Sequence, residues 1–273
     1  MKPAPFDYAR PASIDEATRL LADANGAARL FAAGQSLGPM LNLRLVQPEL
    51  IVDLGGIAML REVTVTEDAI VYGSGVTHAA IEDGKVADGT QGLMAHVAHG
   101  IAYRAIRNRG TLGGAVCHAD PAADWTSALV ALAADAIIEG RAGRREMPVE
   151  RFVTGAYSTV LADDEVLVGV RVPRLGKSAR WGYCKLCRKP GEFAEAIAAV
   201  LSDADRSASR VVLGAAGGTP RVIDGIDPGL ESPSAERWRS AVSALVGTDD
   251  EYRVHVCAEM LRRATARLAG TTT

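Results

Sequence analysis

Ala32-Ala33-Gly34-Gln35-Ser36 stands where a short apolar run gives way to small residues and then to a helical pattern. Further along, Thr111-Leu112-Gly113-Gly114-Ala115 repeats the arrangement. A junction of this kind leaves several main-chain N–H groups with no side chain in the way, beside the positive end of a helix. Such a place is suited to a phosphate. Two of them suit a ligand with two phosphates and two ends to fix. Each run taken alone reads more readily as a simple turn, because glycine pairs punctuate loops. Ala33 counts against the first as a tight cradle, since alanine resists positive φ.

The flanking sequence supplies strands and helices in the order this reading needs. Ser13 and Glu16 form a capping box for a helix over 13–24, with Ile14, Ala17, Leu20, Leu21 and Ala24 at helical spacing. Gly26 ends it, and Ala28 to Ala32 reads as a buried strand feeding the first run. Pro39 fits the first turn of a following helix. Leu50 to Leu54 is a second strand, and Val63–Val65 with Ile70–Tyr72 reads as a hairpin. Helices are expected near 77–83 and 91–103, the second with Leu93, Met94, Val97, Ala98 and Ile101 on one face. Arg107-Asn108-Arg109-Gly110 reads as a turn. Asp120-Pro121 reads as an N-cap and first helical residue, with the helix running through Leu129, Leu132 and Ala133. Strands are expected at 136–139 and 166–172, then a linker from Pro173 to Ser178. Beyond it, Trp181–Cys187, Ala194–Leu201 and Ser209–Ala215 read as strands, followed by helices near 234–246 and 249–268, the last with a Thr248/Glu251 capping box. Strands and helices do not alternate regularly over the whole chain, so the class is α+β.

Composition narrows the function. The chain has 273 residues, a formal charge of −3 with both signs dispersed, and 5% aromatics. A nucleic-acid binder would show a basic face with interleaved aromatics. No apolar run approaches the ~20 residues of a membrane span, and the N-terminus lacks the apolar stretch of a secretory signal, so a cytoplasmic location is expected. Cys184 and Cys187 form a C-x-x-C, but no second close pair accompanies them. In a strand, i and i+3 point to opposite faces, so two ordinary reduced thiols are expected and no metal site. His96 and His99 lie i, i+3 without a third ligand, and His78 and His118 have no motif partner. No nucleophile elbow, P-loop lysine or carboxylate dyad is present. An enzyme built this way relies on a bound cofactor for its chemistry.

Phe6-Asp7-Tyr8-Ala9-Arg10-Pro11 with Glu16-Ala17 resembles the opening of the flavin-binding medium subunits of molybdenum hydroxylases. The likeness continues through Ala33-Gly34-Gln35-Ser36-Leu37, Leu43-Arg44-Leu45, Ile106 to Gly114, His118 to Asp124, and Tyr183-Cys184-Lys185 with Arg188-Lys189-Pro190-Gly191. That family includes the medium subunit of aerobic carbon monoxide dehydrogenase and the flavin domain of xanthine dehydrogenase. The motifs run in order over nearly the whole chain.

The resemblance implies a two-lobed PCMH-type FAD-binding domain (residues 1–57 and 58–176) followed by a small α+β C-terminal domain (177–273). It implies FAD held by Ala32, Ala33, Gly34, Gln35, Ser36 and Leu37 at the pyrophosphate, and by Thr111, Gly113, Gly114 and Ala115 on the flavin side, with Thr111 as a hydroxyl donor. Ile101 joins the set. Asp124 matches an aspartate at the adenosine ribose; a first-turn helix carboxylate is the alternative. Leu167 matches a residue packed on the cofactor. Lys185 matches one near the flavin ring, where a cation would stabilise anionic reduced flavin; a lysine snorkelling to solvent is the alternative. Phe193 falls where relatives place an aromatic facing the ring, and core packing explains it equally. Two departures stand out: Ala33-Gly34 replaces a glycine pair, and Gly191-Glu192-Phe193 replaces Gly-Asp before the aromatic.

The implied role is electron transfer, with no catalytic residue in this chain. A small iron–sulfur subunit with [2Fe-2S] clusters and a large molybdopterin subunit would be its partners, in a dimer of heterotrimers. Electrons would leave to a quinone, NAD or oxygen. A stand-alone flavin oxidoreductase and a flavin-free assembly module are the rival readings.

Overall fold

Parallel strands need long crossovers, and the N-terminal part of the chain supplies them. The computed structural model describes residues 2–230, 233–246 and 250–268. Asp7–Ala9, Leu50–Asp53 and Ala28–Phe31 form a parallel sheet in that order, with Leu50 in register with both Asp7 and Ala28. The helices Ile14–Asp23 and Leu37–Asn42 make the crossovers. The capping box forms: Ser13 Oγ accepts the Glu16 N–H at 3.2 Å, and Glu16 reaches back to the Ala12 N–H at 2.8 Å. Such a cap contributes about 1 kcal/mol. Strand and helix alternate within this unit alone.

A five-stranded antiparallel sheet follows, in the order Val63–Val65, Ala69–Gly73, Val166–Pro173, Asp135–Gly140, Gly143–Pro148. The strand Val166–Pro173 lies between two strands far from it in sequence. The five residues Val166–Val170 are all buried, as a central strand covered on both faces requires. Helices Leu93–His99, Leu112–His118 and Asp124–Ala131 pack over it around Trp125, which is 1% exposed. A second core joins Ile14, Ala17 and Val52 of the N-terminal unit to Ile137, Val166 and Val168 of this sheet.

The last sheet, Arg180–Leu186, Ala196–Asp203, Ala208–Gly214 and Arg221–Val222, is antiparallel. Its strand Ala196–Asp203 is apolar on both faces because both are covered. Ala196, Ala198 and Val200 meet the helices Ala235–Val246 and Glu251–Leu268, whereas Ile197 and Ala199 pack into the middle core. Cys184 and Cys187 likewise fall on opposite sides, one against each core. Burial raises all four thiols, Cys117 to about 12.

Several sequence expectations are corrected. The 91–103 helix is Leu93–His99 only, because Ala102 turns left-handed (φ +42°) before a separate turn of helix, Arg104–Arg107. Arg107 therefore ends a helix, and it is buried. Asp120-Pro121 opens a turn: Asp120 accepts the Ala122 N–H, and the helix begins at Asp124 and ends at Ala131. The strand Gly143–Pro148 escaped notice because Arg144-Arg145-Glu146 carries no apolar alternation, as suits an edge. Pro173–Ser178 is tied down, with the Leu175 N–H on Gly89 and the Gly176 N–H on Asp203. Thr248 lies outside the described residues; Asp250 accepts the Arg253 N–H at the start of the last helix.

His78 is buried and accepts the Trp125 Nε1–H at Nδ1, 3.0 Å away. Burial, and then Arg107, lower its pKa from 6.5 to about 4. The unfolded chain thus binds a proton between those values that the folded chain refuses. Its stabilising contribution is complete above pH 6.5 and is lost as pH falls toward 4, about 3 kcal/mol in all. Urea titrations of wild type and His78→Asn, whose amide oxygen can still accept from Trp125, should converge in stability over this range. Parallel pH profiles would contradict the assignment.

Candidate functional site

The strand Ala28–Phe31 ends and the helix Leu37–Asn42 begins with only five residues between them. Gly34 makes the turn at φ +69°, and a Cβ there would lie 2.4 Å from the Phe31 ring. Glycine is therefore required by both conformation and space. Ala33 does not have a positive φ, so the alanine costs this loop nothing in backbone strain. Among the described residues, the N–H groups of Ala33, Gly34, Gln35, Ser36 and Leu37 find no acceptor, and Ser36 makes no side-chain cap. The only side-chain bond inside the loop is Gln35 Nε2 to the Ala33 carbonyl, 3.2 Å. Five consecutive unpaired donors ahead of a helix make a main-chain anion cradle.

The second run differs. Thr111 is the N-cap of Leu112–His118 and its Oγ1 accepts the Gly114 N–H at 3.1 Å. The Leu112 and Gly113 N–H groups bond to the Val76 and Ser74 carbonyls, and the Ala115 N–H to Thr111. These amides are already satisfied, so the expectation of two open amide loops holds for the first run only. Gly113 serves close approach: a Cβ there would lie 2.3 Å from Ser74. A Cβ on Gly114 would lie 3.8 Å from Ala32, so the two runs meet in space. Thr111 itself is buried, with its hydroxyl turned to capping.

Asp124, the first residue of its helix, faces the C-terminal sheet. Its carboxylate accepts from Lys185 Nζ at 2.8 and 3.0 Å and from the Tyr183 hydroxyl at 2.6 Å. Both ion-pair partners are largely buried, with 16% and 11% of their side chains exposed. Burial, and then Asp124, hold the Tyr183 phenol well above its ordinary range. Lys185 also donates to the Gly100 carbonyl at 2.8 Å. Arg107 grips the adjoining segment through the Ile101 carbonyl (2.9 Å) and the Ala102 carbonyl (3.1 Å), while pairing with Glu82 at 2.7 Å. Its hydrogen bonds hold the Glu82 carboxyl below the usual carboxylate range.

Phe193 is 67% exposed and belongs to the turn after the Lys185 strand; within that turn Gly191 rests against the Tyr103 ring. Leu167 stands apart, 2% exposed in the middle core. Its strand is nevertheless linked to the second run. Ser74 donates to the Val168 carbonyl and accepts from Gly113, beside a bulge between Leu167 and Gly169. Ala32 thus meets Gly114 at one junction, while Asp124 and Lys185 gather at the Gly100–Tyr103 segment that contains Ile101, and the turn that carries Phe193 reaches Tyr103 through Gly191.

Arg107, Tyr183 and Ser74 were not singled out from sequence. An arginine in a polar turn carries no sign that it will be buried, and the partner that buries it, Glu82, lies on another helix. Among the described residues no three His, Cys, Asp or Glu side chains gather to hold a metal ion.

The family described as FAD binding domain in molybdopterin dehydrogenase matches residues 4–175. The beta subunit of caffeine dehydrogenase from Pseudomonas sp. (strain CBB1) is 36% identical over 267 residues, covering 96% of this chain and 86% of that one. The medium subunit of nicotine 6-hydroxylase from Paenarthrobacter nicotinovorans is 34% identical over 277 residues, covering 96% and 97%. Among solved structures, carbon monoxide dehydrogenase from Hydrogenophaga pseudoflava, in a form lacking the Mo-pyranopterin moiety of its cofactor, superposes with a TM-score of 0.89. It is 30% identical and the match covers 99% of both chains.

Removing Arg107 leaves three carbonyl and carboxylate partners short of a donor. Glu82 keeps Arg104 and His99 as partners, so the loss falls mainly on the Ile101 and Ala102 carbonyls, and Arg107→Met should destabilise the fold by about 2 kcal/mol. Chemical denaturation measures this, and a loss below ~0.5 kcal/mol would show that the Ile101–Ala102 segment does not depend on it.

Proposed function

The chain belongs to the family of FAD-binding domains of molybdopterin dehydrogenases, and we propose that it is the flavin-carrying electron relay of a heterotrimeric molybdenum hydroxylase. As a medium, FAD-binding oxidoreductase subunit it works alongside other subunits. In this reading they are a small [2Fe-2S] subunit and a large molybdopterin subunit, arranged as a dimer of heterotrimers. Substrate would be oxidised at the large subunit, and electrons would reach this chain singly through the clusters. Bound FAD supplies a carrier that fills in single-electron steps and empties as a pair. The external acceptor would be a quinone, NAD or oxygen.

One observation carries the proposal: the five unpaired amides of residues 33–37, a donor set that fits a pyrophosphate. Gly113 and Gly114 keep the second run low enough to approach it, a role of shape and not of donors. The segment 100–103 would lie along the flavin, fixed from two sides by Lys185 and Arg107, with Phe193 and Tyr103 as the exposed aromatics beside it. Lys185 is paired with Asp124, so its expected role as a lone cation beside the ring gives way to one of positioning. Leu167 would act through its strand. The division into 1–57, 58–176 and 177–273 belongs to the same proposal and is supported by one main sheet in each part. His78 locked to Trp125 and four thiols kept protonated by burial are withdrawn from proton chemistry, which favours a relay over a self-sufficient oxidase.

Gly34→Val combines a disfavoured φ with a clash against Phe31, and should yield a folded chain that no longer retains FAD, read from flavin absorbance beside an unchanged circular dichroism spectrum. In the wild type, anaerobic addition of the reduced iron–sulfur partner should bleach the flavin. Undiminished FAD in the variant, or turnover of an organic substrate by the isolated chain, would defeat the proposal.

A further inference from the structure

We propose that the hollow between the helix Leu93–His99, the strand Arg180–Leu186 and the helix Glu251–Leu268 binds a phosphate-class oxyanion at a site separate from the flavin cradle. The hollow has a volume of about 270 Å³, and His96, His99, Lys185, Arg263 and Arg267 line it without any Asp or Glu. The hollow shares Lys185 and Gly100 with the segment proposed to lie along the flavin, but none of residues 32–37 or 111–115, so this inference does not rest on the flavin cradle.

The donors are specific. Lys185 Nζ is already occupied by Gly100 and Asp124, and contributes charge more than a free N–H. The open donors belong to the two arginines. Arg263 uses Nε on Glu259 at 2.8 Å, and among the described residues its terminal nitrogens have no acceptor. Arg267 uses one terminal nitrogen on the Tyr183 carbonyl, leaving Nε and the other terminal nitrogen. The two lie four apart on one helix, where like charges repel. An anion between them removes that cost, and guanidinium forks suit a multivalent oxyanion. A single carboxylate has too few oxygens to take up the open N–H groups of both guanidinium forks, whereas a phosphate has enough. His96, whose ring lies 5.2 Å from that of Trp181, is held below its ordinary pKa by burial and then by Arg267, His99 and Lys185, which is the positive field an anion would meet.

Isothermal titration of the full chain, purified with its FAD and kept at constant ionic strength, tests the site with inorganic phosphate, 5′-AMP and acetate. Phosphate or AMP should bind saturably, one per chain and at least tenfold more tightly than acetate. Tighter AMP would identify a nucleotide phosphate, and equal affinities a free oxyanion. Arg263→Gln with Arg267→Gln should weaken binding at least tenfold while flavin absorbance stays constant. Arg263→Gln alone, at an exposed position, should weaken it about threefold without moving the thermal midpoint, which guards against misfolding of the double variant. Phosphate no tighter than acetate, or binding that survives both substitutions, overturns the site. A colourless preparation would count against the flavin reading alone, because the arginine variants still separate this hollow from the 33–37 loop.

Discussion

Peptide amides must bond to something, and those of residues 33–37 have no partner among the described residues. The left-handed turn at Gly34 over the Phe31 ring carries the chain away from the sheet before any neighbouring strand can accept from it. The helix Leu37–Asn42 then starts too late to satisfy them. Water can hydrate such donors, at the cost of ordering it. A pyrophosphate accepts several at once and gains from the helix end as well. The parallel N-terminal sheet holds this strand end beside the five-stranded sheet and its helices, and the close approach of Gly114 to Ala32 brings the second run against it.

The remainder of the site is a problem of holding a non-helical segment still. Residues 100–103 interrupt helical structure with a left-handed Ala102, and a free segment of that kind would be mobile. Two basic side chains from different parts of the chain fix its carbonyls, Lys185 from the C-terminal sheet and Arg107 from the next helix. Each is neutralised by an acid, Asp124 or Glu82, which lowers the cost of burying the charge. The C-terminal sheet therefore does more than cover the middle core. It contributes a structural contact through Lys185, and the apolar alternation of Ala196–Asp203 locks it in place from both faces.

Much of this was legible in the sequence, and the limits follow from physics. The capping box at Ser13, the strand feeding the first run and the apolar strand near 194–201 announce themselves through local pattern, whereas the parallel pairing and the two-sided burial come only from the fold. The resemblance to flavin subunits also reads directly, because its motifs are glycines and small residues fixed by backbone geometry. The second run misled because Thr111-Leu112-Gly113-Gly114 looks like an open loop, and only the distant Ser74 and Val76 carbonyls show its amides to be engaged. Asp120-Pro121 carries a helix-start signature but opens a turn, and the helix starts only at Asp124, which pairs with Lys185. Arg107 and Tyr183 gain their roles only from partners on other elements.

Amide hydrogen exchange of the purified chain with and without FAD addresses the central claim most directly. The account predicts strong cofactor-dependent protection at residues 33–37, with little change at 112–115, whose amides are already bonded. Protection confined to 112–115, or none at 33–37 in a chain that demonstrably holds FAD, would contradict it.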